Sequence, residues 1–580
     1  LMETQEKINI TPSPRILRML GEIDFKAWQC LCEIIDNSID AFSTTDINLG
    51  NKKQPIIKIT LPGSKTDVKP SDTITVEDNA EGMTLTSLEN SFKAGFSANN
   101  PVDKMGLFGM GFNIATARLG LKTEIITATK NSTEKLSVTI DFKELEKSGT
   151  YEIPVVRTQK RADEIDWHGT IINITQLRIE HVKPLYQRKR IGTKLGKIYG
   201  RVLRDKNIKI TYQGTTCKPF THCKWDDSRQ GQSTFGKVPA VIKIDKLIDV
   251  KRYCNTCWIW LNDADNCCPA CNKTTALTKR ERRVKGWIGV QRYFHAQHFG
   301  FDLIRNGRVI VELDKSFFSM LNDQEELELE YPVDGQQAMG RFIGELEIDF
   351  VKVTHQKDAF DINTNDWKDV VKAVRGDSPI RPRLAKNLGY GQNDSPLAQL
   401  FSAFRNAKKG IPNLVPGRAN GGAMLNDAVL DEYLVRFKQG ETDYQNDSKW
   451  WDLVTAGNNH IGSLNDENDP TGGSPFASRP DKTSTARFSD ETVTTITPDP
   501  SRTDETAKVS SQQDTTKPDR FLSGSYSLDI FKNVTIRVIA QMTESSMGVN
   551  GFQVKPKGNE LTFTYWPDDP VFNENLLQPA

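Results

Sequence analysis

Three short motifs between Cys30 and Gly111 constrain the fold of this 580-residue chain more than any other part of its sequence. The first motif, Glu33 to Ala41, predicts a helix, because its isoleucines recur at helical spacing while Glu33, Asn37 and Asp40 follow one another every three or four residues. A carboxylate and a carboxamide on one helix face can position a water molecule and a hydrated magnesium ion. The spacing therefore indicates chemistry on a nucleoside triphosphate.

The second motif, Asp78 to Met83, follows the alternating, strand-forming run Thr73 to Glu77. Asp78 thus lies at the end of a strand, where its carboxylate can accept a hydrogen bond from the amino group of a purine. Gly82 allows the backbone to approach the base closely. This motif predicts the floor of a nucleotide site.

The third motif places glycines at 106, 109 and 111, ahead of an apolar helix expected from Phe112 to Leu119. Glycines at this spacing free backbone amides to face phosphate oxygens, and the start of the helix offers further amides. The spacing differs from that of a P-loop, which needs four residues between its glycines and a following lysine. We therefore expect a different type of phosphate-binding loop.

Each motif also has an ordinary explanation when it is taken alone, because surface helices and glycine-rich loops are common. The order of the three is more specific, and it resembles the Bergerat ATP-binding fold of DNA gyrase, related heat-shock chaperones, histidine kinases and MutL proteins (the GHKL superfamily). The resemblance implies that Glu33 is the general base, Asn37 holds magnesium, Asp78 binds adenine and the glycine loop is the ATP lid. It implies that ATP contacts Asn37, Asp40, Ala41, Asp78, Gly82, Met83, Gly106, Gly109, Gly111, Phe112, Thr170 and Lys357.

One position departs from this pattern. The superfamily usually has glycine where Ala80 stands. Because alanine adds only a methyl group and Gly82 is present, the departure concerns the local turn more than nucleotide binding.

The amino-acid composition by itself excludes few classes of function or partner. The 76 basic residues balance 75 acidic ones, so net charge favours no class of partner. No apolar run approaches the ~20 residues of a membrane span, and the N-terminus lacks a signal-peptide pattern. We expect a soluble, cytoplasmic protein without a membrane partner.

Pattern changes along the chain predict five regions. Residues 1–180 are expected to form an α/β sandwich, the ATPase domain, and residues 181–376 a second domain with a zinc knuckle at 252–273. A helical region at 377–455 and a disordered linker at 456–520, poor in apolar residues, follow. The β-rich sequence pattern of residues 521–580 predicts a small β-rich module.

The segment from Lys183 to Lys209 is strongly basic, with ten basic residues and one acid, Asp205. Leu195, Ile198 and Val202 give it an apolar helical stripe as well. A basic helix can follow the phosphates of duplex DNA, but the same pattern also fits a solvated linker helix. The sequence leaves both interpretations open.

Two pairs of cysteines predict a metal site: Cys254 with Cys257, and Cys268 with Cys271. Each pair has the two-residue spacing of a zinc knuckle, and four thiolates leave no open coordination position, so the zinc would be structural. Cys267 is an alternative fourth ligand. Free buried cysteines or a redox pair are the competing explanations.

Two later stretches narrow the resemblance. A hairpin is predicted around Asn306-Gly307, and Lys357 lies in the loop Thr354 to Phe360. With the lid motif, these stretches resemble microrchidia (MORC) ATPases, and particularly their prokaryotic relatives in phage-defence and restriction gene clusters. The resemblance implies that the second domain is a transducer, with the β-α fold of a ribosomal protein, whose Lys357 reaches the terminal phosphate of ATP.

The resemblance implies an ATPase that dimerises on ATP and acts as a gated clamp on DNA, with magnesium and structural zinc. Partner proteins, including a nuclease subunit, are expected to be encoded nearby. The alternative is a chaperone-like, protein-remodelling ATPase of the same superfamily. A histidine kinase is disfavoured, because no phosphoacceptor hairpin precedes the ATPase motifs, and a topoisomerase would need a cleavage-tyrosine domain.

Overall fold

The computed structural model describes residues 13, 15–42, 54–92, 103–106, 109–262, 264–321, 327–332, 339–406, 410–416, 427–462, 524–531, 534–542, 552–557 and 560–565. The chain divides into two compact units, Leu1–Gly472 and Gly473–Ala580. Within the described ranges, no helix has both the length and the apolar character that crossing a membrane requires.

The first unit begins with an eight-stranded sheet in the order β5-β4-β3-β6-β2-β1-β7-β8. Its strands are β1 (Ile56–Thr60), β2 (Ile74–Asp78), β3 (Gly120–Ala128), β4 (Glu134–Asp141), β5 (Val155–Gln159), β6 (Gly169–Leu177), β7 (Lys209–Tyr212) and β8 (Thr215–Thr216). Neighbouring strands are antiparallel except for β1 and β7, which are parallel. Strand β2 alternates between buried and half-buried residues, as a strand covered on one face should.

Helices accompany this sheet. They are α1 (Arg15–Leu20), α2 (Ala27–Ala41), α3 (Leu85–Phe92), α4 (Gly111–Leu119), α5 (Phe142–Ser148), α6 (Ile179–Val182), α7 (Arg188–Ile198) and α8 (Gly200–Asp205). Helix α2 packs against α4 and buries Leu31, Ile34, Ile35 and Ile39. The two helices that carry the first and third motifs therefore lie side by side in the mixed α/β domain.

The first domain extends further than the boundary expected at residue 180. Ile210 and Tyr212 of β7 are buried in the core of this sheet, as are Leu195 and Ile198 of α7. The sequence left open whether this segment is a solvated linker helix, whereas in the structure every second residue of β7 and one face of α7 point into the core. The first domain therefore ends near Thr216.

The second domain contains a six-stranded sheet in the order β12-β11-β13-β18-β14-β15. Its strands are β11 (Val241–Cys254), β12 (Ile259–Trp260), β13 (Leu277–His295), β14 (Gly300–Arg305), β15 (Arg308–Asp314) and β18 (Gly340–Glu347), and two further pairs are β9 (Gln230–Ser233) with β10 (Gly236–Pro239) and β16 (Ser319–Leu321) with β17 (Leu327–Leu329). Only β14 and β18 are parallel neighbours. The hairpin predicted at Asn306-Gly307 is confirmed, and both turn residues have positive φ.

The region after residue 377 is helical, as expected, but it is not a separate domain. Its described helices are α10 (Pro382–Asn387), α11 (Pro396–Phe404), α12 (Asp427–Gln439), α13 (Thr442–Gln445) and α14 (Ser448–Gly462), following α9 (Asn365–Arg375). Phe401 and Trp450 belong to the same core as Phe342 of the sheet. The Arg341 guanidinium, fully buried, donates to the carbonyls of Phe404, Asn413 and Leu414.

Helix α14 also continues past the expected start of the linker at residue 456, and the rest of that linker lies outside the described residues. The second unit contains a four-stranded sheet in the order β19-β20-β22-β21. Its strands are β19 (Gly524–Phe531), β20 (Val534–Met542), β21 (Phe552–Lys557) and β22 (Glu560–Tyr565), so this module is β-rich as expected.

Candidate functional site

A cavity of about 420 Å³ lies between α2, α4 and the first sheet. Of the twelve residues expected to contact nucleotide, eleven line it: Asn37, Asp40, Ala41, Asp78, Gly82, Met83, Gly106, Gly109, Gly111, Phe112 and Thr170. Glu33 also lines it, whereas Lys357 does not. Its volume lies in the range of small-molecule sites.

Asp78 forms the buried floor of the cavity at the end of β2. The Ser38 hydroxyl donates to Asp78 Oδ2 over 2.8 Å, and the Ala80 amide donates to Oδ1 over 3.1 Å. Burial raises the pKa of Asp78 to about 6, against the effect of these donors. The carboxylate is thus held in place as a hydrogen-bond acceptor near neutral pH. The sequence pattern did not single out Ser38, although it stands one residue after Asn37.

Tight backbone approaches shape this floor. Gly82 has φ of +71°, and a Cβ atom there would lie 2.0 Å from the Ala128 carbonyl oxygen. Gly169 has φ of +122°, and its Cβ would lie 2.1 Å from the Asp78 carbonyl oxygen. Both positions therefore require glycine.

The Thr127 hydroxyl joins three parts of the floor. It accepts from the Met83 amide over 2.9 Å, donates to the Gly169 carbonyl over 2.9 Å, and lies 3.2 Å from the Thr170 hydroxyl. Thr170 was expected near the base, and the structure places it on the cavity wall. Thr127 was not expected, because a threonine in a β-rich run is unremarkable by itself.

Ala80 fits without the glycine that the resemblance leads one to expect. It is fully buried and does not have a positive φ. Its carbonyl oxygen lies 2.8 Å from His168 Nδ1. The turn at this position is therefore compatible with a side chain, and the departure in sequence leaves the site intact.

Asp40 anchors the start of the glycine loop. Its carboxylate accepts from the backbone amides of Met105 at 2.9 Å and Gly106 at 2.8 Å, while Lys104 Nζ donates to its carbonyl. Asp40 therefore both lines the cavity and holds the segment that leads to Gly109 and Gly111. Leu107 and Phe108 lie outside the described residues.

Gly111 and Glu33 meet at the inner end of the cavity. A Cβ atom on Gly111 would lie 2.0 Å from Glu33 Oε2, so any side chain at this position would displace the carboxylate. Glu33 is 6 % exposed. The start of α4 and the expected general base, Glu33, thus fit together only because residue 111 is glycine.

Glu33 belongs to a buried ionic cluster that reaches into the second domain. Lys357 Nζ donates to Glu33 Oε2 at 2.8 Å and to Asp36 Oδ2 at 2.9 Å, and Arg308 Nη1 contacts Asp36 as well as Glu33 Oε1 at 3.4 Å. Tyr199 donates to Asp36 Oδ1 at 2.7 Å. Two carboxylates and two cations are therefore balanced in the interior.

The charges of this cluster support one another. Burial would raise the pKa of Asp36, but Arg308 and Lys357 outweigh it and hold the pKa below its ordinary value. Burial would lower the pKa of Lys357, and the two carboxylates reverse that shift. Asp36, Lys357 and Arg308 thus remain paired ions, as buried charges must. Asp36, Arg308 and Tyr199 were not expected at the site, although Asp36 follows Glu33 by three residues on α2.

Lys357 occupies an unusual backbone conformation. Its φ is +51°, in the left-handed region, and the residue is 4 % exposed. The surrounding loop is closed by a bridge between Val353 and Phe360, and His355 of the same loop lines the cavity. The second domain therefore contributes directly to the inner end of the site.

The four cysteines expected to bind zinc come together. The Sγ atoms of Cys254, Cys257, Cys268 and Cys271 lie within 4.8 Å of one another, and Cys254 Sγ is 3.8 Å from Cys271 Sγ. Tetrahedral zinc with Zn–S bonds of about 2.3 Å places its sulfurs about 3.8 Å apart, so the arrangement fits that ion. Cys267 is not part of this group.

Four of the ten basic residues of this segment pair with acidic residues of the second domain. Lys194 and Lys197 both contact Glu312, Arg201 pairs with Glu347, and Arg204 pairs with Glu345. Arg204 is nevertheless exposed, and the other exposed basic residues, Lys183, Arg188, Lys189 and Arg190, cluster at the start of the segment.

The comparison with known families agrees with this geometry. Residues 25–170 match the family model described as "Histidine kinase-, DNA gyrase B-, and HSP90-like ATPase". The matched stretch begins just before α2 and ends at Thr170, so it contains the cavity-lining residues of the first domain except Ile172. No curated protein matches the chain. Residues 25–170 are therefore similar in sequence to the ATP-binding domain of the histidine kinase, DNA gyrase B and HSP90-like ATPases.

Proposed function

We propose that the cavity binds ATP and that Glu33 activates the water that hydrolyses it to ADP and phosphate. Asp78 would accept from the adenine amino group, and the amides near Gly109 and Gly111 would face the phosphates. Asn37 is exposed on the cavity wall, where its amide oxygen suits magnesium, which takes few protein ligands. When bound, magnesium neutralises charge on the phosphates.

The contact between Lys357 and Glu33 carries this proposal. An ammonium at this place can pair either with the Glu33 carboxylate or with a phosphate oxyanion that enters the inner end of the cavity. Once Lys357 engages the terminal phosphate, Glu33 loses its closest cation and becomes a better proton acceptor. Arg308 keeps Asp36 neutralised in both arrangements. Hydrolysis would thus depend on where the second domain places its lysine.

We further propose that ATP draws the second domain, acting as a transducer, onto the ATPase domain and closes two copies of the chain into a gated clamp on duplex DNA. The resemblance to prokaryotic MORC-like ATPases supports this step, together with a role in antiviral defence or restriction alongside partner proteins such as a nuclease subunit. The exposed basic group at Lys183, Arg188, Lys189 and Arg190 is the contact we propose for DNA.

We also propose that Cys254, Cys257, Cys268 and Cys271 hold one structural zinc ion. The sulfur spacing fits, and four protein ligands leave no position for water. Zinc would contribute folding energy to the end of the β11–β13 ribbon rather than take part in hydrolysis.

ATP turnover and binding test the enzymatic proposal. Glu33→Gln should bind ATP but lose turnover by about a hundredfold, the range of general-base catalysis. Glu81→Gln removes an exposed carboxylate from the second motif and should behave like the parent. Near-parental turnover in Glu33→Gln would remove Glu33 from this role.

DNA binding tests the clamp proposal. Changing Arg188, Lys189 and Arg190 to Ala should weaken duplex binding and reduce its dependence on salt, because fewer counterions are released. A control with three exposed loop lysines changed to Ala, at positions 65, 69 and 130, carries the same change in charge. If the intact protein binds no DNA with or without ATP, the chaperone-like function becomes the better proposal.

A further inference from the structure

The four-cysteine site stands at the end of a long two-stranded ribbon. Strands β11 and β13 pair over their length, and the last pairs are Tyr253 with Thr278 and Cys254 with Leu277. The ligand cysteines thus continue directly from the ribbon. Whatever fixes the cysteine turns also fixes the neighbouring residues of both strands.

Asn255, next to Cys254, ties the cysteine turn back to β13. Its amide donates to the Ala276 carbonyl over 3.0 Å, and its side chain exchanges hydrogen bonds with the Thr278 hydroxyl. Asn255 Oδ1 also accepts from Arg280 Nη2 over 3.3 Å. The position of Arg280 therefore depends on this turn.

Arg280 connects the turn to the ATPase domain. Its guanidinium lies over the Tyr253 ring, 5.2 Å from the centroid, and donates to both carboxylate oxygens of Asp103 at 2.6 and 2.9 Å. Such a two-pronged pair fixes orientation as well as distance. The Tyr253 ring, next to the cysteine turn, thus packs on one face of the guanidinium, and Asp103 of the ATPase domain binds its edge.

Asp103 begins the segment that becomes the glycine loop. Two residues later, Met105 and then Gly106 donate their amides to Asp40 on the cavity wall, while the Lys104 carbonyl accepts from Asn306. A displacement of Asp103 would therefore reach the cavity within three residues. The described contacts run without a break from the cysteines to the nucleotide site.

We propose that the four-cysteine site is an allosteric metal site, in which zinc bound by the cysteines strengthens nucleotide binding through Arg280 and Asp103. The inference rests on the proposed function, because it takes ATP as the ligand of the cavity. Arg280 and Asp103 are positioning residues. Neither residue belongs to the four-cysteine group or lines the nucleotide cavity. They hold the start of the glycine loop in the position from which the amides of Met105 and Gly106 donate to Asp40.

Thermodynamic linkage relates the affinity for zinc to the affinity for nucleotide. If zinc raises nucleotide affinity by some factor, nucleotide must raise zinc affinity by the same factor. Couplings of this kind commonly span about 5- to 150-fold. Both sides can be measured on the full chain, with zinc in competition with a chromophoric chelator and with ADP or a non-hydrolysable ATP analogue as the nucleotide.

In the parent we expect saturating nucleotide to tighten zinc binding at least fivefold, and loss of zinc to weaken nucleotide binding by the same factor. In Arg280→Gln, zinc should still bind at one ion per chain, but the factor by which nucleotide tightens zinc binding should fall to about one. Arg283→Gln is the matched control, because Arg283 lies on the same strand and pairs with Asp245 and Glu281 of the ribbon itself. In Arg283→Gln, nucleotide should tighten zinc binding by the same factor as in the parent.

Asp103→Asn covers the case in which the zinc-stripped protein does not fold. This variant keeps all four cysteines and should, while loaded with zinc, bind nucleotide several-fold more weakly than the parent. A parental coupling factor of one, or an unchanged factor in Arg280→Gln, would overturn the inference while leaving ATP binding itself standing. Failure of the proposed function has a different signature, because the zinc-loaded parent would then bind no nucleotide.

Discussion

Replacing Lys357 by Met removes one of the two cations that neutralise Glu33 and Asp36 in the interior. Lys357 is 4 % exposed and Asp36 is fully buried, so water cannot take over the lost interactions. The methionine retains most of the aliphatic volume. The variant therefore isolates the charge, leaving a net negative cluster with Arg308 as its remaining cation.

Two estimates give the size of the effect. Breaking a buried ion pair by removing one partner costs about 3–5 kcal/mol. The carboxylate left behind can instead take up a proton, which at pH 7.5 costs about 4–5 kcal/mol for an ordinary carboxyl pKa of about 4. Since 1 kcal/mol lowers the melting temperature of a 150–250-residue domain by about 2–4 °C, the ATPase domain of Lys357→Met should melt about 6–20 °C lower.

Scanning calorimetry of the full chain can measure this shift against Lys352→Met, which removes an exposed lysine just before the same loop. Adding Glu33→Gln to Lys357→Met restores neutrality and should recover most of the loss. The deficit of the single variant should also shrink to about 2 kcal/mol at pH 5.5, because protonation then costs less. A Lys357→Met protein that melts with the Lys352→Met control would refute the argument that this cluster is a balanced buried ion network.

Three further predictions concern the site and the cysteines. Because burial raises the pKa of Asp78 to about 6, ADP affinity measured by calorimetry should fall as the pH drops through about 6, and Asp78→Asn should flatten that step; a flat parental profile would contradict the role. Gly111→Ala should cost about a hundredfold in turnover, since its Cβ displaces the general base by about 1 Å, while Gly192→Ala, whose Cβ meets nothing within 4 Å, should match the parent. Metal analysis should find one zinc per chain in Cys267→Ser but none in Cys268→Ser, and zinc in both would point to a different ligand set.

The sequence predicted the parts of the site that one chain segment can encode. Glu33, Asn37 and Asp40 were placed by helical periodicity, Asp78 by the end of a strand, and Gly111 by its spacing from Gly106. Each depends on local geometry, so no knowledge of distant contacts was needed. These five cavity-lining residues were found this way, whereas Ser38 and Ile172, which also line the cavity, were not.

The remaining parts depend on contacts between distant segments. Arg308 and Asp36 are 272 residues apart, and neither stands in a pattern that marks it as a partner of the other. Likewise, Lys357 was expected at a phosphate, and its contact with Glu33 could not be read from a loop sequence. The boundary near Thr216 was missed because it depends on the pairing of β7 with β1 and on the packing of α7 in the core, which join segments distant along the chain.

The shared core of the second domain has a consequence for biosynthesis. Strand β18 leaves the ribosome roughly a hundred residues before Trp450, which completes the core, so at 5–20 residues per second the sheet waits about 5–20 s for its cover. Until residue 414 has been made, Arg341 lacks some of its carbonyl acceptors at Phe404, Asn413 and Leu414, and until the end of the interval the core that contains Phe342 lacks Trp450. The nascent second domain should therefore be a chaperone client. A chain released at residue 376 should remain one, held in the soluble fraction only while a chaperone covers the exposed face of its sheet.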